Sequence, residues 1–282
     1  MVNNEACELW LYYPAQMKIT NILLASLLLA TTLGSPARAD DGSVHLTSLE
    51  WPPYTSPQLQ DDGCITVLVK QAFEASGLKA RVDFYPWSRT IAQVRDAHSH
   101  HVGFFPAYHS AERERDYYMT EPLGEGPIGL IERKDLPIVW NTLTDLGGKR
   151  IGVVQDYINT AEFDALAGSG QLVVEAVVSD TLNIRKMIGR RIDTAVIDKH
   201  VFHYLLDTDP DLAAGKALLQ FNPKPLESKK LYLYFRRTPE GLALRDRFNT
   251  GLRQVLGEAA RKGIVLDDPT HQPAPPPPVT TP

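Results

Sequence analysis

Between residues 40 and 265, short apolar runs alternate with stretches of helical period. Residues 44–49 predict a strand, ended by the turn Trp51-Pro-Pro-Tyr54. Ile65, Leu68, Val69, Ala72 and Ser76 then recur at i, i+3, i+4, i+7 and i+11, the period of a helix. Asp61 or Asp62 is the expected cap of that helix and Gly77 its stop. Residues 82–85 predict a strand, 88–97 a short helix and 102–105 another strand, after which Ser110 caps a helical turn holding Arg113. The alternation resumes from Leu130 to Phe221. Residues 150–154 predict a strand, Asn159-Thr-Ala-Glu162 has the form of a capping box, and 172–178 predict the next strand. Asp180 is the expected cap of a helix ending at Gly189, and residues 194–197 form the unbroken apolar run of a strand covered on both faces. After residues 231–235, Leu244, Phe248, Leu252 and Val255 lay one apolar stripe along a terminal helix.

Strands that alternate with helices imply mainly parallel sheets with helices over their faces. Two such series predict a two-lobed α/β fold with a cleft between the lobes. The expected lobes are residues 40–124 plus 229–265, and 125–228, with the last helix returning to the first lobe. The chain should cross between them near Gly124-Glu-Gly126 and near Leu226-Glu-Ser228.

The two ends read differently. Residues 22–33 are almost wholly apolar, Gly34 and Pro36 break the run, and Ala37-Arg38-Ala39 presents small residues where a signal peptidase reads. Residues 1–39 are therefore expected to be a cleaved export leader that places the mature chain in the periplasm. Residues 1–16 carry two acids and no base, which makes Met17 a plausible true start. Residues 266–282 are rich in proline and read as a disordered tail. Removing the leader takes two bases and two acids and leaves the net charge at −5, against a nucleic-acid partner. Of two cysteines, Cys7 would leave with the leader, so Cys64 is expected to stand alone. A soluble monomer is expected.

In open α/β sheets ligands lie beyond the carboxyl ends of the strands. That rule selects Trp51, Tyr54, Trp87, residues 106–113 with Tyr108 and Arg113, residues 155–159 with Asp156 and Tyr157, and Asp198. The set holds one clear base, two acids and several aromatics. No Ser-His-Asp spacing, Gly-rich phosphate loop or Cys-rich metal pattern accompanies it, and no cofactor is expected. His98-Ser-His-His101 lies at a helix-to-strand turn with no carboxylate neighbour in sequence to complete a ligand set. It reads as a solvated turn rather than a metal site.

Four segments in order resemble the family 3 bacterial solute-binding proteins, the polar-amino-acid receptors of ABC importers. They are Thr47-Ser-Leu-Glu-Trp-Pro-Pro-Tyr54, the run from Ser110 to Pro122 around Arg113, Asp145-Leu-Gly-Gly-Lys-Arg-Ile-Gly-Val-Val154, and Gly189-Arg-Arg-Ile-Asp-Thr-Ala-Val-Ile-Asp198. The resemblance implies a two-lobed (type II) periplasmic binding protein that closes on a small amino-acid-like solute, for import or for sensing. It implies that Arg113 grips a ligand carboxylate and Asp198 an ammonium group, with Trp51 stacking on the ligand and Trp87 walling the pocket. A guanidinium suits the first role because its planar fork binds carboxylate bidentately. Asp198 also reads as a helix N-cap, and Tyr54 as packing. The implied partners are a small polar solute and either an ABC permease or a membrane sensor.

Two departures from the family pattern stand at the site. Phe105-Pro-Ala-Tyr108 replaces small hydroxyl residues, and Asp156-Tyr157-Ile158 replaces a Gly-Thr-Thr loop. Two donors are lost while an acid and phenols are gained, so Tyr108 and Tyr157 are expected to make different contacts. The periplasmic cyclohexadienyl dehydratases resemble the same family. An enzyme on this scaffold, with Asp156 or Glu50 as general acid, is therefore the alternative to a receptor.

Overall fold

The computed structural model describes residues 42–261. The expected leader at 1–39 and the proline-rich tail at 266–282 lie outside the described residues. The first part of the chain runs β1 (Ser43–Ser48), α1 (Cys64–Ala75), β2 (Lys79–Phe84), α2 (Trp87–Arg95), β3 (Gly103–Tyr108), α3 (Ala111–Asp116) and β4 (Tyr117–Met119). β5 (Gly124–Arg133) leads into β6 (Arg150–Val154), α4 (Ala161–Gly168), β7 (Val173–Val177), α5 (Asp180–Ile188), β8 (Thr194–Asp198), α6 (Lys199–Thr208), α7 (Ala213–Leu218) and β9 (Leu219–Phe221). β10 (Glu227–Arg236) and α8 (Pro239–Arg261) complete the described residues.

The strands form one continuous sheet in the order β2-β1-β3-β10-β5-β8-β6-β7, with β4 paired to β10 and β9 to β5. β1 pairs parallel with β2 and β3, and β6 pairs parallel with β7 and β8. These two parallel trios are the sheets of a two-lobed α/β fold. Two ten-residue strands, β5 and β10, join them. They run antiparallel to each other, with Gly124 opposite Leu231 and Gly126 opposite Lys229, while β10 continues against β3 and β5 continues against β8.

Burial follows the expected pattern. All five residues of β8 are buried, as an unbroken apolar run requires. On α8, Phe248 and Leu252 are fully buried, and Phe248 meets Phe73 of α1 with ring centroids 5.0 Å apart. The last described helix thus packs on the first.

Three expected caps are corrected. α1 begins after Gly63 with no side-chain cap, rather than from Asp61 or Asp62. Gly63 has φ 96°, and a Cβ there would lie 2.6 Å from the Tyr54 carbonyl oxygen, so the chain arrives too close to the Trp51–Thr55 turn for any residue but glycine. α4 is capped by Thr160, whose side chain accepts from the Phe163 N–H, while Asn159 turns to bond Asp164. α5 is capped by Ser179, because the Asp180 side chain is buried among aromatics instead. Ser110 and Asp198 do cap α3 and α6. The expectation for Cys64 turns on Cys7, which lies outside the described residues.

Candidate functional site

The carboxyl ends of β1, β3, β6 and β8 converge, and the turns that follow them supply the site. Trp51 follows β1, Tyr108 ends β3, Arg113 lies on the short helix after it, and Asp156 and Tyr157 follow β6. Asp198 ends β8 and Trp87 opens α2 after β2. Trp51, Trp87, Tyr108, Arg113 and Tyr157 line one small cavity together with Leu231 of β10. The Tyr157 ring stands edge-on to both tryptophans, at centroid distances of 6.4 Å from Trp51 and 6.1 Å from Trp87.

Arg113 is 8% exposed. Its Nη1 donates to the Tyr108 carbonyl at 3.0 Å, its Nη2 to the Asp156 carbonyl at 3.3 Å, and its guanidinium lies 5.1 Å from the centre of the Trp87 ring. No carboxylate pairs with it among the described residues. Burial pulls its pKa below the ordinary arginine value, the expected direction for a cation held out of water. A guanidinium stays charged in proteins, so this buried cation has two main-chain carbonyls and an aromatic face but no counter-ion.

Asp156 occupies a different place from the one its sequence position suggested. It has φ 62°, its side chain is exposed, and its carboxylate takes a close hydrogen bond from Ser88 at the rim. Only its main-chain carbonyl faces the cavity, accepting from Trp87 Nε1 at 2.9 Å and from Arg113. Glu50 is also exposed and accepts from Ser56. Neither acid reaches the cavity as a general acid must.

Asp198 is 3% exposed and heavily bonded. Its Oδ1 accepts from the His200 and Val201 N–H groups at 2.8 and 3.1 Å, as an N-cap does. The Tyr108 hydroxyl donates to Oδ2 at 3.0 Å, and the Tyr54 hydroxyl lies 3.2 Å from both oxygens. Tyr54 therefore does more than pack. These four donors already match the roughly four lone-pair sites of a carboxylate. Gly126 of β5 makes room for the cluster, since a Cβ there would fall 2.1 Å from Asp198 Oδ2 and 2.7 Å from the Tyr54 oxygen.

The structure adds two residues that sequence reading missed. Asp180 is 5% exposed and accepts only from Trp51 Nε1 at 3.1 Å and the Tyr157 hydroxyl at 3.4 Å among side chains. Burial, the largest influence, pushes its carboxyl up to about 7, with the neighbouring Asp198 charge acting in the same direction. Burial raises the Asp198 carboxyl as well. Lys229 of β10 is 7% exposed; its ammonium makes a close hydrogen bond to the Asn159 carbonyl and lies 5.4 Å from the centre of the Tyr108 ring. The sequence signal at Asp180 is that of an N-cap, and Lys229 carries none beyond its place near the expected crossing. Tyr108 and Tyr157, which stand at the two departures from the family pattern, donate to the buried acids Asp198 and Asp180, and Tyr54 donates to Asp198 as well.

The bonds from Arg113 and Trp87 to the Asp156 carbonyl, from Ser88 to the Asp156 carboxylate, from Tyr54 and Tyr108 to Asp198, and from Trp51 to Asp180 join the turns of the first parallel trio to the second. The cavity left between them is about 20 Å³, far below the roughly 300–1,000 Å³ of ligand pockets. The cleft is shut.

No protein-family model matches the sequence, and no curated protein does. The fold has solved counterparts. A histidine kinase sensor domain with similarity to periplasmic binding proteins superposes with a TM-score of 0.67 at 18% identity, over 79% of this chain and 93% of that one. An ancestral arginine-binding protein bound to arginine gives 0.65 at 16% identity, over 79% and 96%. The GluR0 ligand-binding core from Nostoc punctiforme in complex with L-glutamate gives 0.61 at 15% identity, over 78% and 96%. The chain has the two-lobed periplasmic-binding-protein fold that the sequence motifs implied.

Proposed function

We propose that this chain is an exported solute-binding protein whose lobes, residues 40–124 plus 229–265 and 125–228, close on a small amino-acid-like solute that carries a cationic group. The observation that carries this reading is the charge arrangement at the shut cleft. A buried guanidinium without a counter-ion, Arg113, lies in the first lobe, and two buried carboxylates, Asp180 and Asp198, lie in the second. A ligand carboxylate would supply the missing partner of Arg113 as a bidentate pair. A ligand cation would offset the desolvation that raises the two acids. Asp180 has the greater spare capacity, since it holds two side-chain donors against four donors on Asp198. The tryptophan and tyrosine walls suit a cation as well, because their ring faces attract positive charge.

The arginine bound by one structural neighbour has this chemistry, and so do ornithine-like and lysine-like solutes. Delivery to an ABC permease or to a membrane sensor both fit such a receptor in the periplasm. The chain described here also has no helix long and apolar enough to cross a membrane among the described residues. A thermal-shift and calorimetric screen tests the proposal with L-arginine, L-ornithine and putrescine against L-glutamate and acetate. A solute with both a carboxylate and a cation should stabilise the protein, by about 2.7 kcal/mol at one hundred times Kd. If no solute of that class shifts the melting temperature, the proposal fails.

A second reading rests on Asp180 alone. A buried carboxyl pushed up to about 7 is what a general acid working near neutrality needs. A lyase acting on a cyclic carboxylic acid would hold its substrate by Arg113 and protonate the leaving group from Asp180. Conversion of prephenate or arogenate by the purified chain, lost in Asp180→Asn, would favour the enzyme over the receptor.

A further inference from the structure

A second cluster of ionisable side chains stands on the first parallel trio, near the start of β3 and apart from the cleft. β1 and β2 pair in parallel with His45 opposite Arg81 and Thr47 opposite Asp83. Side chains alternate across a strand, so His45 and Asp83 project from the same face of the sheet. The turn before β3 brings His100 to them. Its ring meets that of His45 nearly at right angles, with centroids 4.7 Å apart. One ligand atom from each of His45, Asp83 and His100 lies within 4.8 Å of the others. On a tetrahedral ion with bonds of about 2.1 Å, ligand atoms stand about 3.4 Å apart. Because Asp83 and His100 are exposed and His45 is half-buried, small side-chain rotations close that gap.

The support behind the cluster is built in. His101 is 1% exposed, its Nε2 lies 2.8 Å from Asp83 Oδ2, and its Nδ1 lies 3.0 Å from Ser99 Oγ. An imidazole between these partners can accept a hydrogen bond from the Ser99 hydroxyl on Nδ1 and donate from Nε2 to the carboxylate. Asp83 is thereby oriented through Oδ2 while Oδ1 is left for another partner. Metal-binding carboxylates are commonly held in this way by an outer hydrogen-bonding group. The expectation of a solvated turn thus holds for exposed His98 but not for buried His101.

We propose that His45, Asp83 and His100 form a site for one late first-row divalent ion of the Zn²⁺ class, with at least one coordination position open to solvent. Two imidazoles and one carboxylate suit Zn²⁺, Cu²⁺ or Ni²⁺. Mg²⁺ and Ca²⁺ prefer oxygen ligands throughout and are disfavoured here. Arg81 shares the face, which further disfavours a cation held by charge alone. The site uses no residue of the cleft, so it stands whether or not the solute-binding reading does.

The test is calorimetric titration of Zn²⁺ into the metal-stripped chain, purified without an affinity tag. One saturable site is expected, and Mg²⁺ under the same conditions should give none. Asp83→Asn and His100→Ala should each weaken Zn²⁺ binding at least tenfold, since even outer-shell changes cost 10–100-fold, that is roughly one to two decades. His98→Ala, at an exposed neighbour outside the trio, should keep the parent affinity. Melting curves of the three variants check that each is folded. Absence of saturable Zn²⁺ binding overturns the proposal. So does parent-like affinity in either Asp83→Asn or His100→Ala, or an equal loss in His98→Ala.

Discussion

Closing the empty cleft should depend on pH through Asp180. When the lobes part, Trp51 withdraws and water reaches the carboxyl, so its pKa returns toward 3.8; with the cleft shut it rises to about 7. For an acid raised in this way, the shut form is most favoured below the lower value. It loses that advantage as pH climbs from about 3.8 and levels off above about 7. One pKa unit is about 1.4 kcal/mol. Between pH 5 and pH 8 the relative cost of closing therefore grows by about two units, or roughly 2–3 kcal/mol, a shift of about 30- to 100-fold in the open-to-shut ratio. Asp198 is raised by the same cause and adds to the effect in the same direction. Small-angle scattering of the ligand-free protein should show a compact form at pH 5 and a more extended one at pH 8. Asp180→Asn removes the ionisation while keeping the side-chain shape, so that variant should stay compact at both values. A cationic ligand should restore compaction of the parent protein at pH 8 by pairing with the charged carboxylate. The reasoning is refuted if the parent protein's dimensions do not change with pH, or if Asp180→Asn retains the full pH response.

Two further outcomes follow from the same cluster. Arg113→Ala should weaken a carboxylate-bearing ligand by roughly 2–5 kcal/mol, a factor of about 30 or more in Kd. Arg113→Lys should weaken it too, because an ammonium cannot reproduce the planar fork; calorimetry with unchanged affinity in the alanine variant would reduce Arg113 to a structural cation. Gly126→Ala would drive a methyl group into the Asp198–Tyr54 contact, costing about 1–3 kcal/mol as overpacking does. A parent-like melting temperature and parent-like affinity in that variant would show that the close approach at Gly126 is not required.

Much of the fold was legible in local pattern. The i, i+3, i+4, i+7 spacing from Ile65, the unbroken run at residues 194–197 and the stripe through Phe248 and Leu252 each specify an element, because periodicity is settled within a few residues. The caps at Ser110 and Asp198 were legible for the same reason. The rule that sites lie beyond strand carboxyl ends selects Trp51, Trp87, Tyr108, Arg113 and Tyr157, and these five line one cavity. Tertiary structure decided the rest. Asp180 has the sequence of a helix cap, and only the arrival of Trp51 from 129 positions away turns it into a buried cleft acid. Asp156 lies at a cleft position in sequence, yet a positive φ turns its carboxylate outward and leaves its carbonyl facing in. The histidines at 98–101 have only Asp96 near them in sequence, where it accepts from the His98 N–H, and the parallel register of β1 with β2 supplied both Asp83 and His45. Local sequence sets backbone periodicity and caps because those bonds span three or four residues. Which charges end up facing each other across a cleft or a sheet face is set by the registers and crossings that join distant segments.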